Sequence, residues 1–82
     1  MEKIDIKKLD YDIEECERSL RGVRSCIDGI DRANWFVDQG DEEGFQDNKR
    51  RATGEMLFHI ERLTAWVAIL EEGVREMRKK GD

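Results

Sequence analysis

The stretch that decides the fold is IKKLDYDIEECERSLRGVRSCIDGI, residues 6–30. Its apolar residues are spaced alternately three and four positions apart, which is the pattern typical of a coiled-coil seam. They are Ile6, Leu9, Ile13, Cys16, Leu20, Val23, Ile27 and Ile30. A helix with this pattern buries its apolar stripe only against other helices. The stretch therefore indicates how the chain assembles and says little about chemistry.

The heptad assignment also predicts the kind of neighbour. The a positions are Ile6, Ile13, Leu20 and Ile27, and the d positions are Leu9, Cys16, Val23 and Ile30. The e and g flanks of the N-terminal half are strongly acidic, so a parallel, in-register homodimer would place like charges together. An antiparallel or heterotypic neighbour is therefore expected.

A cluster of turn-forming residues, DQGDEEG, follows at positions 38–44. Gly40 suits the left-handed conformation after a helix, and Asp41 is a suitable N-cap for the next helix. Proline is absent, so nothing forces a kink. We expect an all-α fold, a long antiparallel helical hairpin with heptad-type seams, in a single domain over residues 1–82. The predicted helices cover about 5–37 and 42–80, with the turn at about 38–41.

The second helix carries a wider apolar stripe than the first. Its heptad row is Met56, Ile60, Leu63, Val67, Leu70, Val74 and Met77, beside a second row at Phe45, Ala52, His59 and Trp66. A stripe this broad normally contacts more than one helix, and a chain of 82 residues rarely buries enough apolar surface alone. We expect a homodimer or higher oligomer that completes a helical bundle. The predicted oligomer seam consists of Ile13, Leu20, Ile27, Ile60, Leu63, Val67 and Leu70.

The predicted helices contain glycines well inside their length, at Gly22, Gly29, Gly54 and Gly73. Each costs about 1 kcal/mol relative to alanine. They are explained by mutational tolerance, by close backbone approach at helix crossings, or by a break near Gly54 that divides the second helix. The sequence leaves these three interpretations open.

Composition excludes several classes of function. The net charge of −5 disfavours binding to nucleic acid, and 43% charged residues leave no apolar run long enough to cross a membrane. The N-terminus lacks the apolar run of a secretory signal, so we expect a cytoplasmic protein. Cys16 and Cys26 are expected to be reduced. His59 is the only histidine, and no catalytic or metal-binding motif occurs. We therefore expect no enzymatic activity, no metal site and no cofactor.

Two short segments are candidate binding sites. Trp35, Phe36 and Val37 are consecutive and cannot all face one seam, so at least one is exposed or is buried by a partner. With Trp66 they form the predicted partner-binding set, although they could instead cover the turn end of a bundle. Lys49, Arg50 and Arg51 form a basic run near aromatic residues, which suits a phosphorylated or nucleotide ligand. The alternative is a solvated face that pairs with nearby acids.

A helical hairpin of this length with a tryptophan near its turn resembles the WXG100 proteins, which are exported by type VII secretion systems. Where the family has Trp-x-Gly, this chain has Trp35-Phe36-Val37, and its next glycine is Gly40. The tyrosine of the family's C-terminal export signal has no counterpart near Met77 to Asp82. The resemblance implies an exported helical hairpin as a minority alternative.

The leading functional hypothesis is a non-enzymatic interaction protein, a small oligomeric adaptor or inhibitor of a larger protein. Its expected partners are a second copy of itself and another protein. The alternative is an oligomer that sequesters a small anionic ligand, phosphorylated or a nucleotide, at its subunit interfaces.

Overall fold

The computed structural model describes residues 3–81, with side chains described as far as Lys79. Within this range the chain forms two helices, α1 (Ile6–Asp38) and α2 (Glu42–Gly81), and no strand. The helices lie antiparallel in a rod of 66 × 15 × 13 Å. The predicted all-α helical hairpin is thereby confirmed. Neither helix, over the described residues, contains an apolar stretch that could span a bilayer.

Local hydrogen bonds explain where each helix begins and ends. The Asp5 carboxylate accepts a hydrogen bond from the backbone N–H of Lys8 at 3.0 Å and caps α1. At the other end, Asp41 N–H donates to the carbonyl of Phe36 and Gly40 N–H to that of Val37, the Schellman arrangement. Gly40 has φ 73°, as this arrangement requires.

The start of α2 is fixed in the same way. The Asp41 carboxylate accepts from the backbone N–H of Gly44 at 2.9 Å, and Glu42 and Glu43 occupy the first turn, where the helix dipole favours acids. The connection is therefore short and internally hydrogen-bonded, and it holds the two helices in one register.

Close contacts of glycines define that register. A Cβ atom added to Gly29 would lie 2.8 Å from the Cβ atom of Ala52, and one added to Gly22 would overlap the ring of His59. Real Cβ atoms do not approach so closely, so at Gly29 the two backbones come together because α1 has no side chain there. At Gly22 the missing side chain leaves the space that the ring of His59 occupies. Close backbone approach therefore accounts for Gly29, and packing of the His59 ring accounts for Gly22.

The other two helical glycines have no such role. Nothing lies within 4 Å of a Cβ atom added to Gly54 or Gly73. Helix α2 continues through Gly54 without interruption, so the break considered from the sequence is absent.

The buried row of α1 consists of small or polar side chains. Asp12, Ser19, Cys26 and Ala33 recur every seven residues, and each is at most 4% exposed. On α2, Ala52 is buried to the same degree. Small side chains at this repeat allow the helices to pack closely along their length.

The two buried acids of α1 are neutralised within their own helix. Asp12 forms an ion pair with Lys8 at 2.8 Å, and the adjacent acid, Glu15, pairs with Arg18 at 3.2 Å. Pairing of this kind is required because an unpartnered charge between two helices would be strongly destabilising. Polar residues thus occupy the contact with α2 without being left unsatisfied.

The apolar residues at the a positions of α1 lie outside this contact. Ile6, Ile13, Leu20 and Ile27, the a positions, are 66, 38, 55 and 55% exposed. The d positions, Leu9, Cys16, Val23 and Ile30, are half-buried. Helix α2 therefore covers only one edge of the heptad stripe, because it packs against the neighbouring row of small residues.

Two alanine substitutions test this packing. Gly29→Ala should destabilise the protein by about 1–3 kcal/mol, because the new methyl group must push α2 away. Gly54→Ala, the matched control with open space around it, should stabilise by about 0.5–1 kcal/mol through helix propensity. Urea unfolding followed by circular dichroism measures both values. Equal stabilisation by the two substitutions would contradict the close approach at Gly29.

Candidate functional site

The turn end of the rod presents a fixed aromatic surface. Phe36 is half-buried with its ring against Gly44, whereas Trp35 and Val37 are each 54% exposed. Successive helical residues point about 100° apart, so burying Phe36 turns its two neighbours outward. The Trp35 and Phe36 rings pack edge to face, with centroids 5.0 Å apart. The exposed indole is therefore held against a ring that is itself anchored in the hairpin.

An open groove adjoins this aromatic pair. It has a volume of about 430 Å³, and we call it the turn groove. It is lined by Asp28, Asp31, Arg32, Trp35 and Phe36. Aromatic side chains beside both acids and a guanidinium group suit an apolar side chain of a partner with polar groups around it.

Trp66 lies elsewhere and has a different environment. It is half-buried and packs edge to face on Tyr11, with ring centroids 5.7 Å apart. By the register of the helices it is about 30 Å along the rod from Trp35. The structure therefore does not join Trp66 to the turn surface, and its main contact is between the two helices.

The side chains of the basic run diverge. Lys49 lies over the ring of Phe45, with Nζ 5.1 Å from the centroid, and Arg50 pairs with Asp47 at 3.9 Å. Arg51 instead lines a second groove of about 230 Å³. The other side chains of that groove come from Ser25, Cys26, Asp28, Arg32, Asn48, Ala52 and Glu55. The groove brings Arg51 and Arg32 together, but it contains two acids as well.

His59 packs between the two helices. It is half-buried, fills the space above Gly22, and lies beside Phe58 with ring centroids 5.6 Å apart. Among the described residues no three His, Cys, Asp or Glu side chains converge as a metal site. Cys26 donates a hydrogen bond to the carbonyl of Gly22 at 3.3 Å and is buried.

A third surface runs along the length of the rod. On each helix, a row of side chains faces the other helix, and further rows follow as one rotates around the helix axis. When two helices are antiparallel, rotation in the same direction, as seen from the N-terminus of each helix, leads to the same side of the pair. The a row of α1 and the row Ile60, Val67 and Val74 of α2 therefore share one side, and the latter residues are 39, 44 and 43% exposed. We call this surface the open seam: Ile6, Ile13, Leu20, Ile27, Ile60, Val67 and Val74.

The remaining residues of the predicted oligomer seam form the floor of this surface. Leu63 and Leu70 are half-buried between the two helices. By the register, Ile13 lies near Val67 and Leu20 near Ile60, so the exposed side chains form layers across the two helices. The sequence pattern identified these residues, and the structure places their exposed members together on one side of the hairpin.

Comparison with known proteins does not extend these observations. The chain matches no protein-family model, no curated protein and no solved structure. Its function is therefore inferred from its own residues and their arrangement.

Proposed function

We propose that this protein is a non-enzymatic helical interaction protein that binds a larger protein, as an adaptor or inhibitor, through the turn groove. The observation that carries the proposal is the half-exposed indole of Trp35, held on the anchored ring of Phe36. Tryptophan and arginine are the residues most often found at the energetic centres of protein interfaces, and Arg32 lines the same groove.

The rigidity of the turn end supports this role. The Schellman hydrogen bonds, the Asp41 cap and the contact of Phe36 with Gly44 hold the backbone of the turn and the ring of Phe36 in place. A partner that binds there pays little to order the surface, so burying the indole contributes to affinity. The acids beside the groove, Asp28 and Asp31, favour a partner segment that carries a basic group next to an apolar side chain.

Truncating the indole tests this proposal. A partner that copurifies with the protein is first identified by mass spectrometry, and its affinity for the purified chain is then measured by calorimetry. Trp35→Ala should weaken binding by about 2 kcal/mol or more, as expected for a buried aromatic anchor. Circular dichroism should be unchanged, because Trp35 is outside the contact between the helices.

Phe58→Ala is the matched control, because Phe58 is an aromatic residue of α2 with 55% exposure, similar to that of Trp35. It should leave the affinity within about twofold, a change of less than 0.5 kcal/mol. If Trp35→Ala bound the partner as tightly as the wild type, the turn groove would not be the docking site.

The alternative function, sequestering a small anionic ligand, is favoured by one observation: Arg51 and Arg32 line the same groove. Two guanidinium groups can hold a phosphate through charge-assisted hydrogen bonds. In this alternative, Asp28 and Glu55 balance the charge of these arginines while the groove is empty. When the ligand binds, the two carboxylates turn away from the arginines.

Substitution of the neighbouring residues Arg50 and Arg51, one at a time, distinguishes this ligand site from a solvated basic face. Calorimetry with inorganic phosphate and with a nucleoside triphosphate should show binding that Arg51→Ala reduces at least tenfold, since the groove loses a guanidinium group. Arg50→Ala should have little effect, because that side chain is directed to Asp47. Absence of heat with both ligands, or equal effects of the two substitutions, would contradict the ligand site.

A further inference from the structure

We propose that the open seam binds a second copy of this chain, with the two hairpins antiparallel and α1 of each copy packed on α1 of the other. This inference rests on the proposed function, since it specifies how an interaction protein of this kind assembles. Its support comes from the size of the surface and from the order of charges along its edge.

The open seam is large enough for a specific dimer. From Ile6 to Ile27 it is about 30 Å long, at 1.5 Å per residue, and it is about two helix diameters wide. Contact along this length would bury roughly 600 Å² on each copy, near the lower limit for stable interfaces. The surface consists of aliphatic side chains, several of them more than half exposed, which gain most from being covered.

Charged residues edge the open seam on α1 in two rows with a repeat of seven. The inner row has Asp10, Glu17, Arg24 and Asp31, each four residues after an a position, and begins with Lys3, seven residues before Asp10. The outer row is Lys7, Glu14, Arg21 and Asp28. All nine are exposed, and none forms an ion pair with another described residue.

The edge charges differ in this respect from the buried acids of the contact between the helices. On the side of α1 that contacts α2, the acids Asp12 and Glu15 each have a basic partner in their own helix. Four of the five edge acids, Asp10, Glu14, Glu17 and Asp28, also have a basic residue one turn away in α1, yet they stay unpaired. They are therefore available to a second molecule.

The order of positive and negative charges along α1 favours an antiparallel neighbour. When two α1 helices are antiparallel and centred on Glu17, Lys3 faces Asp31 and Asp10 faces Arg24. In the outer row the same arrangement brings Lys7 near Asp28 and Glu14 near Arg21. Every pair has opposite charges except the two copies of Glu17 at the symmetry axis. Because the dimer has two-fold symmetry, each favourable pair occurs twice in it.

A parallel face-to-face dimer places like charges together. In that arrangement two-fold symmetry puts α1 of one copy on α2 of the other, at the same level along the rod. By the register of the hairpin, Asp10 would then face Glu71, Lys7 would face Arg75, and Lys3 would face Arg78. The same register places Arg21 opposite Glu61 and Asp31 opposite Arg50, so three like-charged levels stand against two of opposite charge. The charges of α1 therefore favour the antiparallel arrangement, in which all four non-identical pairs have opposite charges.

The antiparallel arrangement also gives the turn surface a role in the dimer. Centring on Glu17 leaves the last part of α1, with Trp35 and Phe36, beyond the overlap of the two seams. The aromatic end of each turn groove then projects at one end of the dimer, while the groove's acids, Asp28 and Asp31, pair with the second copy. Such a dimer carries two identical partner sites, which is the arrangement needed to connect two partner molecules.

A charge exchange between positions 10 and 24 tests the arrangement. Dimer dissociation constants are measured by sedimentation equilibrium at low ionic strength, where screening of exposed charges is weakest. Asp10→Arg alone and Arg24→Asp alone should each weaken the homodimer about tenfold or more, because both symmetry-related pairs become repulsive. An equimolar mixture of the two variants should form a heterodimer about as tight as the wild type, since each pair again has opposite charges.

The matched control is Glu72→Arg, which reverses an exposed acid on the opposite side of the hairpin and should leave dimerisation unchanged. Circular dichroism shows whether each variant folds, and recovery on mixing can occur only if both do. A chain that stays monomeric at micromolar concentration would overturn the inference, as would single variants that dimerise like the wild type. Tighter dimerisation of Asp10→Arg alone would instead indicate the parallel arrangement, with position 10 near Glu71.

The experiment separates this inference from the proposed function. Positions 10 and 24 lie far along the rod from the turn groove, so the affinity of each chain for its partner should not change in the two variants. If the charge variants dimerise like the wild type while Trp35→Ala still weakens partner binding, only the antiparallel dimer is wrong. If the dimer behaves as expected while Trp35→Ala has no effect, only the turn groove is wrong.

Discussion

The close approach of α1 and α2 at Gly29 and Ala52 determines how the rest of the hairpin is arranged. Where the backbones are this near, only small side chains fit between them, and Ser19, Cys26 and Ala33 fill the contact on α1. The large aliphatic residues of the same helix must then lie to one side. A single packing constraint thus explains both the narrow interior and the exposed apolar surface.

The helices and the turn between them follow from the sequence. The three-and-four spacing from Ile6 to Ile30 predicts a long helix, and the turn at Gly40 with a cap at Asp41 predicts where the chain reverses. These features depend on local chemistry, on backbone conformation and on hydrogen bonds between residues close in sequence. They require no knowledge of which surfaces meet, so the hairpin was predictable.

The side of α1 that contacts α2 was harder to predict. Hydrophobic periodicity shows which residues share a stripe but not which of several helices covers it. Here the large residues Leu20 and Ile27 dominate the pattern, and the contact falls on the row beside them. A signal for this was present in the sequence: small residues recur every seven positions at Ser19, Cys26 and Ala33. Together with Gly22 and Gly29 they indicate close helix packing.

The candidate sites also differ in how far the sequence predicts them. Exposure within Trp35-Phe36-Val37 follows from helical geometry, because three consecutive residues cannot face the same direction. The positions of Trp66 and of Arg51 depend instead on the register of α2 against α1, which is set by contacts between residues distant in sequence. The sequence therefore identifies the turn surface as a unit but does not show that Trp66 packs on Tyr11 or that Arg51 shares a groove with Arg32.

In the arrangement we propose, small residues face inward within one chain while the a-position aliphatic residues face a second copy. Isotope-filtered NMR on an equal mixture of ¹³C-labelled and unlabelled protein separates contacts within a chain from contacts between chains. We expect nuclear Overhauser effects between Gly29 and the Ala52 methyl group within one chain, and between the methyl groups of Ile13 and Leu20 of different chains. Contacts of Leu20 and Ile27 with the core of α2 in the same chain, with Gly29 exposed, would contradict it.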